Sequence, residues 1–273
     1  MILPRPSNDF EWVDAQGGAA LVCRPLERLA RHIVTTRSWS LGSPSGDSGD
    51  AWGEIAKAVD ANRVLRVHQI HGAEVVVHRV TRPAAAPADA DIIVSDDGGT
   101  AIAIQSADCV PLLLADVRTG VVAAAHAGWR GTARRVAAVA VHALTTEFGS
   151  RPADLVAAVG PSIGACCYQV GNEVRDRFVA EGFPEAEVSR WFLPSARPSP
   201  GNPSMPGLSP LPRRDRWYFD LWSATREQLE KSGVRPDQIF VAGLCTASHE
   251  AFCSYRRDGA RAGRLASAIR AGG

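Results

Sequence analysis

The sequence predicts an α/β or α+β fold. Short apolar runs of strand length alternate along the chain with longer stretches of helical spacing. No run approaches the apolar length of a membrane span. At 273 residues the chain can bury roughly three quarters of its unfolded surface, so it needs no disulfide or metal to hold its core.

The elements follow in order. Gly17-Gly18 is a turn signal between apolar runs at 10–13 and 19–23. Residues 42–50 form a Ser/Gly/Asp loop, and 51–61 has helical spacing. Short apolar runs at 64–67 and 74–80 predict strands; the Pro/Ala-rich 83–88 is a surface connection. Two β-branched runs, 110–115 and 121–125, flank the turn-like Val117-Arg118-Thr119-Gly120 and predict a hairpin. A helix is expected at 132–147, a strand at 155–159, a tight turn at 160–164 and a helix at 172–180. Prolines crowd the region 193–216, which we take as a low-complexity insertion within one domain spanning 1–273. Asp220 is placed to cap a helix at 221–232 that Gly233 stops, and 238–242 is the last predicted strand.

Bulk properties exclude several classes. A formal charge of +1 gives no footprint for nucleic acid. The six cysteines show no disulfide spacing, and Cys166 and Cys167 are adjacent and cannot easily bridge. The first residues lack the basic and apolar regions of a secretory signal, so a cytoplasmic protein is expected.

The polar residues that carry chemistry sit at the ends of the hairpin. Cys109 lies just before the first run and His126 just after the second. Antiparallel pairing puts the start of one strand beside the end of the other, so a thiol and an imidazole meet at one edge. Cys and His are suited to a zinc-like ion. A third ligand is best sought in HQIHG (68–72), where Gly72 allows a sharp turn after His71. His71, Cys109 and His126 would leave a fourth tetrahedral position open, the pattern of a catalytic site. Taken singly, each is as well explained as a core residue. Small residues crowd 123–131, as expected where a ligand approaches the backbone. Asp91 either orients a site residue or is a loop carboxylate. Asp108 should face away from Cys109 in a regular strand unless the chain kinks; otherwise it would bond a ligand imidazole on an adjacent strand.

HQIHG, SADCVPLLLAD (106–116), HAGWRGT (126–132), GPSIGACCYQVG (160–171), LCT (244–246) and SYRRDG (254–259) with a following AGR occur in this order. Together they resemble the YfiH/DUF152 family over roughly residues 35–264. The family was long described as laccase-domain or polyphenol oxidases and is now regarded as purine nucleoside phosphorylases with adenosine deaminase side activity. The resemblance implies a four-layer αββα sandwich with mixed sheets. It also implies metal ligation by His71, Cys109 and His126, and phosphorolysis of adenosine, inosine, guanosine or methylthioadenosine. The family's Asn-Leu-Gly is replaced here by Ser40-Leu41-Gly42.

Zn2+ is the expected ion, with Cu2+ as the alternative. The expected partners are a nucleoside and phosphate, with no nucleic acid and no membrane, in a monomer or weak homodimer. Phosphorolysis needs a phosphate clamp, for which Arg130, Arg256, Arg257 and Arg264 are candidates; a solvated basic surface is the alternative. Gln69 is a candidate substrate contact, and His68 a candidate acid–base group for the purine nitrogen. A deaminase would need a proton-shuttling carboxylate, and the H-x-E with P-C-x-x-C signature is absent. A laccase mechanism needs several copper centres, but the chain has seven His, and its methionines are Met1 and Met205. Two other readings stand beside phosphorolysis. One is a cysteine hydrolase acting on a peptidoglycan precursor, with Cys109 as nucleophile and His126 as base. The other is a non-catalytic metal-binding protein.

Overall fold

A computed structural model of the chain describes residues 2–42, 47, 50–84, 88–198 and 215–272. The strands are Phe10–Ala15 (β1), Gly18–Cys23 (β2), His32–Thr35 (β3), Arg63–Leu65 (β4), Val75–His78 (β5), Ile92–Ser95 (β6), Thr100–Ser106 (β7), Val110–Asp116 (β8), Val122–Ala127 (β9), Leu155–Val159 (β10), Gln169–Gly171 (β11), Phe192–Leu193 (β12), Arg216–Phe219 (β13), Ile239–Val241 (β14) and Leu265–Arg270 (β15). The helices are Arg24–Glu27 (α1), Ala51–Ala58 (α2), Trp129–Ala133 (α3), Val136–Phe148 (α4), Asn172–Ala180 (α5), Glu185–Trp191 (α6), Leu221–Lys231 (α7) and Tyr255–Asp258 (α8).

Two six-stranded sheets run in the orders β1-β2-β3-β15-β7-β4 and β14-β10-β8-β9-β6-β5. Both are mixed: β4–β7, β10–β14 and β5–β6 are parallel pairs among antiparallel ones. Strand alternation sorts the side chains into layers. In β8, Leu113 and Ala115 join Ile102, Ile104, Leu265 and Ile269 of the other sheet in a core between the sheets. Leu112 and Leu114 point the opposite way, under α4, α5, α6 and α7. On the far side of the first sheet, Ala101, Ala103, Ala266 and Ala268 pack against Ile55 and Val59 at α2. The result is the helix–sheet–sheet–helix layering that the family resemblance implies. A third, small sheet, β11-β13-β12, packs Phe192 flat on Phe219, with ring centroids 4.5 Å apart.

Several boundaries differ from the sequence reading. The helix expected at 132–147 is two helices, because Arg135 takes a left-handed conformation (φ 61°) between α3 and α4. The strand β15 was not anticipated, although it is buried between β3 and β7 in the first sheet. The region expected as an insertion at 193–216 begins and ends in paired strands, Leu193 lying opposite Tyr218. Its centre, 199–214, lies outside the described residues, as do 43–46 and 48–49 of the expected loop and 85–87 of the Pro/Ala connection. Among the described residues, no helix is long and apolar enough to cross a membrane.

Candidate metal centre

The predicted hairpin is present: β8 and β9 pair antiparallel with Pro111 opposite His126 and Val110 opposite Ala127. This places Cys109, one residue before β8, at the His126 end of β9. The third residue arrives on a connection between the two sheets. β4 lies at the edge of the first sheet and β5 at the edge of the second, so residues 66–74 cross between them. His71 sits in that crossing in a left-handed conformation (φ 59°), which turns the chain sharply at the ligand. The ligand atoms of His71, Cys109 and His126 all lie within 4.8 Å of one another. The two imidazoles meet edge to face, with ring centroids 4.9 Å apart.

Asp91 holds this arrangement. It is fully buried one residue before β6, and β6 pairs with β9, so it lies beside His126. Its carboxylate accepts from the amides of Ile70 (3.2 Å), His71 (3.1 Å) and Gly72 (2.6 Å) and from His126 Nδ1 (2.8 Å). A carboxylate can only accept, so His126 carries its proton on Nδ1 and leaves Nε2 for an ion. One carboxylate thus shapes the His71 turn and orients the His126 ring. Burial disfavours its charge, but the bonds from His126 and the Gly72 amide outweigh that and hold it below the usual carboxylate range.

Space for an ion comes from a missing side chain. A Cβ on Gly128 would lie 2.9 Å from Cys109 Sγ and 3.3 Å from His71 Cδ2. Gly131 likewise lets α3 approach the Gly72 carbonyl, which its Cβ would meet at 2.8 Å. Burial raises the Cys109 thiol, but the charge and hydrogen bond of His126, with His71 beside it, bring it down to about 6. Burial lowers His126, and Cys109 and Asp91 reverse this, raising it to about 9. The site therefore stabilises a thiolate without any ion, which is the form that binds soft cations.

Asp108 does not bond an imidazole. The chain kinks at it (φ 89°), and its carboxylate is bonded by the loops beyond residue 244. Thr246 Oγ1 donates to one oxygen (2.6 Å) and the Arg256 amide to the other (2.6 Å). Burial pushes its carboxyl above the usual range against these bonds. The kink is therefore set by the loops at 244–256, which no local sequence signal near Asp108 announces. Tyr168 is a further neighbour that sequence reasoning missed. Burial raises its hydroxyl, and the charge of Cys109 adds to the effect.

The other candidates fare differently. His68 is exposed and donates Nδ1–H to Asp89 (2.8 Å). Both ends of the Gln69 amide are engaged by the main chain of Gln105, each at 2.7 Å. Arg130 is exposed and stacks on Trp129, 4.4 Å from the ring centroid. Arg256 donates to the carbonyls of Cys167 (3.1 Å) and Gln169 (2.8 Å) and lies over Tyr168. Arg257 donates to the carbonyls of Thr246, His249 and Phe252, and Arg264 to those of Ala262 and Gly263. Buried turns leave carbonyls that need donors, and these two arginines supply them. Arg256, Arg257 and Arg264 thus all donate to main-chain carbonyls, while Arg130 lies exposed on Trp129.

Of the seven histidines, three others have partners elsewhere: His32 bonds Ala30 and Cys23, His68 bonds Asp89, and His78 bonds Asp97. Among the described residues, His contributes to a single cluster able to hold a metal. The donor set fits one ion, not several.

Known proteins bear on this centre. The protein named purine nucleoside phosphorylase of Deinococcus radiodurans is 36% identical over 255 residues, covering 87% of this chain and 88% of that one. Purine nucleoside phosphorylase YfiH of Escherichia coli K12 is 33% identical over 265 residues, covering 95% and 96%. Among solved structures, the YfiH protein of Bacillus licheniformis superposes with a TM-score of 0.77 at 25% identity, covering 97% of this chain and 99% of that one. YlmD of Geobacillus stearothermophilus gives 0.74 at 29% identity, covering 93% and 96%. Residues 51–272 match the family described as multi-copper polyphenol oxidoreductase laccase, and the chain belongs to that family.

Proposed function

We propose that the chain is a zinc-dependent purine nucleoside phosphorylase. One observation carries this reading: two imidazoles and a thiolate converge in front of Asp91, in a chain similar along nearly its whole length to proteins of that name. His71, Cys109 and His126 would hold the ion, which when bound supplies a Lewis acid at an open coordination position. Asp91 fixes two of those ligands. Phosphate attacks the anomeric carbon of the nucleoside, the bond to the purine breaks, and the purine nitrogen takes a proton. His68 is our assignment for that proton: when doubly protonated it keeps one proton on Nδ1 for Asp89 and gives the other from Nε2 to the purine nitrogen. Arg130 and the part of Arg256 not engaged by carbonyls offer the phosphate its donors. The adenosine deaminase side activity is assigned to the same centre.

We place this reaction in the cytoplasm of a cell, in a monomer or weak homodimer, in keeping with six cysteines that form no disulfide. A copper-dependent oxidation of phenols is a weaker reading, since a multicopper mechanism needs more imidazole clusters than the described residues offer.

A second reading has a specific observation behind it. Asp91, His126 and Cys109 form a line of carboxylate, imidazole and thiolate, as a cysteine hydrolase uses. The two readings separate on metal. A phosphorylase of the proposed kind releases hypoxanthine from inosine only with phosphate present, and loses this on chelation. A cysteine nucleophile stays active with chelator and is inactivated by alkylation. Phosphate-independent turnover, or none at all with zinc restored, refutes the phosphorylase reading.

A further inference from the structure

A second group of thiols lies outside the site described above. Cys166, Cys167 and Cys245 are all buried, and their sulfurs lie within 4.8 Å of one another. Adjacent residues supply two of the sulfurs and a distant loop the third. The two loops are held in register by main-chain bonds: the Ser162 amide donates to the Leu244 carbonyl (3.1 Å), and the Thr246 amide to the Ser162 carbonyl (3.1 Å). The thiols are therefore presented by a fixed backbone and not by a floppy tail. Ile163 and Ala247 close the apolar side of the group.

Two more polar groups point at it. Ser248 Oγ lies 3.6 Å from Cys166 Sγ and 3.4 Å from Cys167 Sγ. The Gly164 amide donates to Cys245 Sγ at 3.3 Å. We propose that Cys166, Cys167 and Cys245 form a second metal site, for a thiophilic closed-shell ion of the zinc or cuprous class. A metal–sulfur bond of about 2.3 Å sets tetrahedrally placed sulfurs about 3.8 Å apart, so sulfurs already within 4.8 Å need shift only slightly. Three sulfurs without an imidazole form a softer donor set than the His71–Cys109–His126 centre, and soft donors select these ions. With zinc, the Ser248 hydroxyl stands where a fourth, neutral ligand belongs. With a cuprous ion, three sulfurs suffice.

The site would staple the 160–168 loop to the 244–248 loop. Thr246, next to Cys245, holds Asp108 at the kink before Cys109. The ion would thus brace the backbone behind the first centre without joining it.

The test is metal stoichiometry on reduced, anaerobic protein, loaded separately with Zn2+ and with Cu+ and freed of excess ion. Native mass spectrometry should find two equivalents of at least one ion in the unaltered chain, one in Cys109→Ala, one in Cys245→Ala and none in the double variant. Whichever ion is retained by Cys109→Ala identifies the class. X-ray absorption on that variant should show three sulfur scatterers at about 2.3 Å. This measurement leaves the cluster intact, so it decides the matter even if Cys245→Ala does not fold; Cys166→Ser with Cys167→Ser gives a further check. No ion retained by Cys109→Ala, an oxygen and nitrogen shell only, or a Cys245 disulfide formed in place of metal under these conditions overturns the proposal.

Discussion

Two residues show how much of the site rests on groups that never touch an ion. Asp91 gives His126 its orientation and three backbone amides their partner. Asp91→Asn keeps the shape but loses the charge, and one face of the amide offers hydrogens to donors. Loss of such a partner typically weakens metal affinity about 10–100-fold, and competition with a chelator should show a drop of that size. An unchanged affinity would mean His126 is aimed by packing alone. Gly128 has ordinary extended backbone (φ −77°, ψ 172°), so Gly128→Ala tests space and not strain. Its methyl would press on Cys109 and His71. The expected result is a protein that melts cooperatively within roughly 1–3 kcal/mol of the parent yet binds metal poorly. Tight binding by this variant would show that the cradle is wider than the distances state. The meeting of Cys109 and His126 was legible in the sequence because a hairpin brings the ends of its strands together. The engagement of Gln69 was not, because its partner lies in β7, and that of Arg257 and Arg264 was not, because the carbonyls they serve are exposed to them only by the folding of the preceding turns.

At the scale of elements, the β8–β9 hairpin could be read from two apolar runs around a turn, and α5 and β10 from periodicity and length. The strand β15 could not. LASAIR is short and small-residue-rich, and both of its faces are buried, so it has no apolar–polar alternation to mark it. Its importance is topological: it joins β3 to β7 and supplies Leu265 and Ile269 to the core between the sheets. A chain ending at Arg264 would leave β3 and β7 with open edges and expose that core. It should be recovered insoluble or without a cooperative urea transition. Leu265→Ala should fold, with a loss of about 2–5 kcal/mol by urea denaturation. A folded, active truncated chain would contradict the sheet order. The split of the expected 132–147 helix was equally hidden, since Arg135 is an ordinary helix former. Its left-handed turn is held by tertiary contacts: the guanidinium lies 4.1 Å from the Phe183 ring centroid and donates to the Glu181 carbonyl.

At the scale of the whole molecule, the layered cores make stability sensitive to buried histidine. His32 is buried in β3; the Cys23 amide donates to its Nε2 (2.9 Å), so the ring is neutral with its proton on Nδ1. Burial lowers it from 6.5 to about 4. The unfolded chain therefore binds a proton that the folded chain refuses between these values, and stability falls as pH drops through that window. The loss approaches about 3 kcal/mol by pH 4. Asp97, held down to about 2 by hydrogen bonds from Thr100, Gly99 and His78 that outweigh its burial, adds a further loss below its ordinary range. The urea midpoint should fall between pH 7 and pH 4, and fall less in His32→Gln; equal slopes in the two proteins would remove His32 from this account.

The layered scaffold matters functionally because it brings residues of three separate segments to one point: the β4–β5 connection, the start of β8 and the end of β9. The most direct test of that point is turnover of inosine by the purified chain, measured with and without phosphate, before chelation, after it, and after zinc is returned. We expect phosphate-dependent release of hypoxanthine that disappears with the metal and returns with zinc, and that Cys109→Ala lacks throughout. Undiminished phosphorolysis by the chelated protein or by Cys109→Ala would contradict a reaction centred on these three ligands.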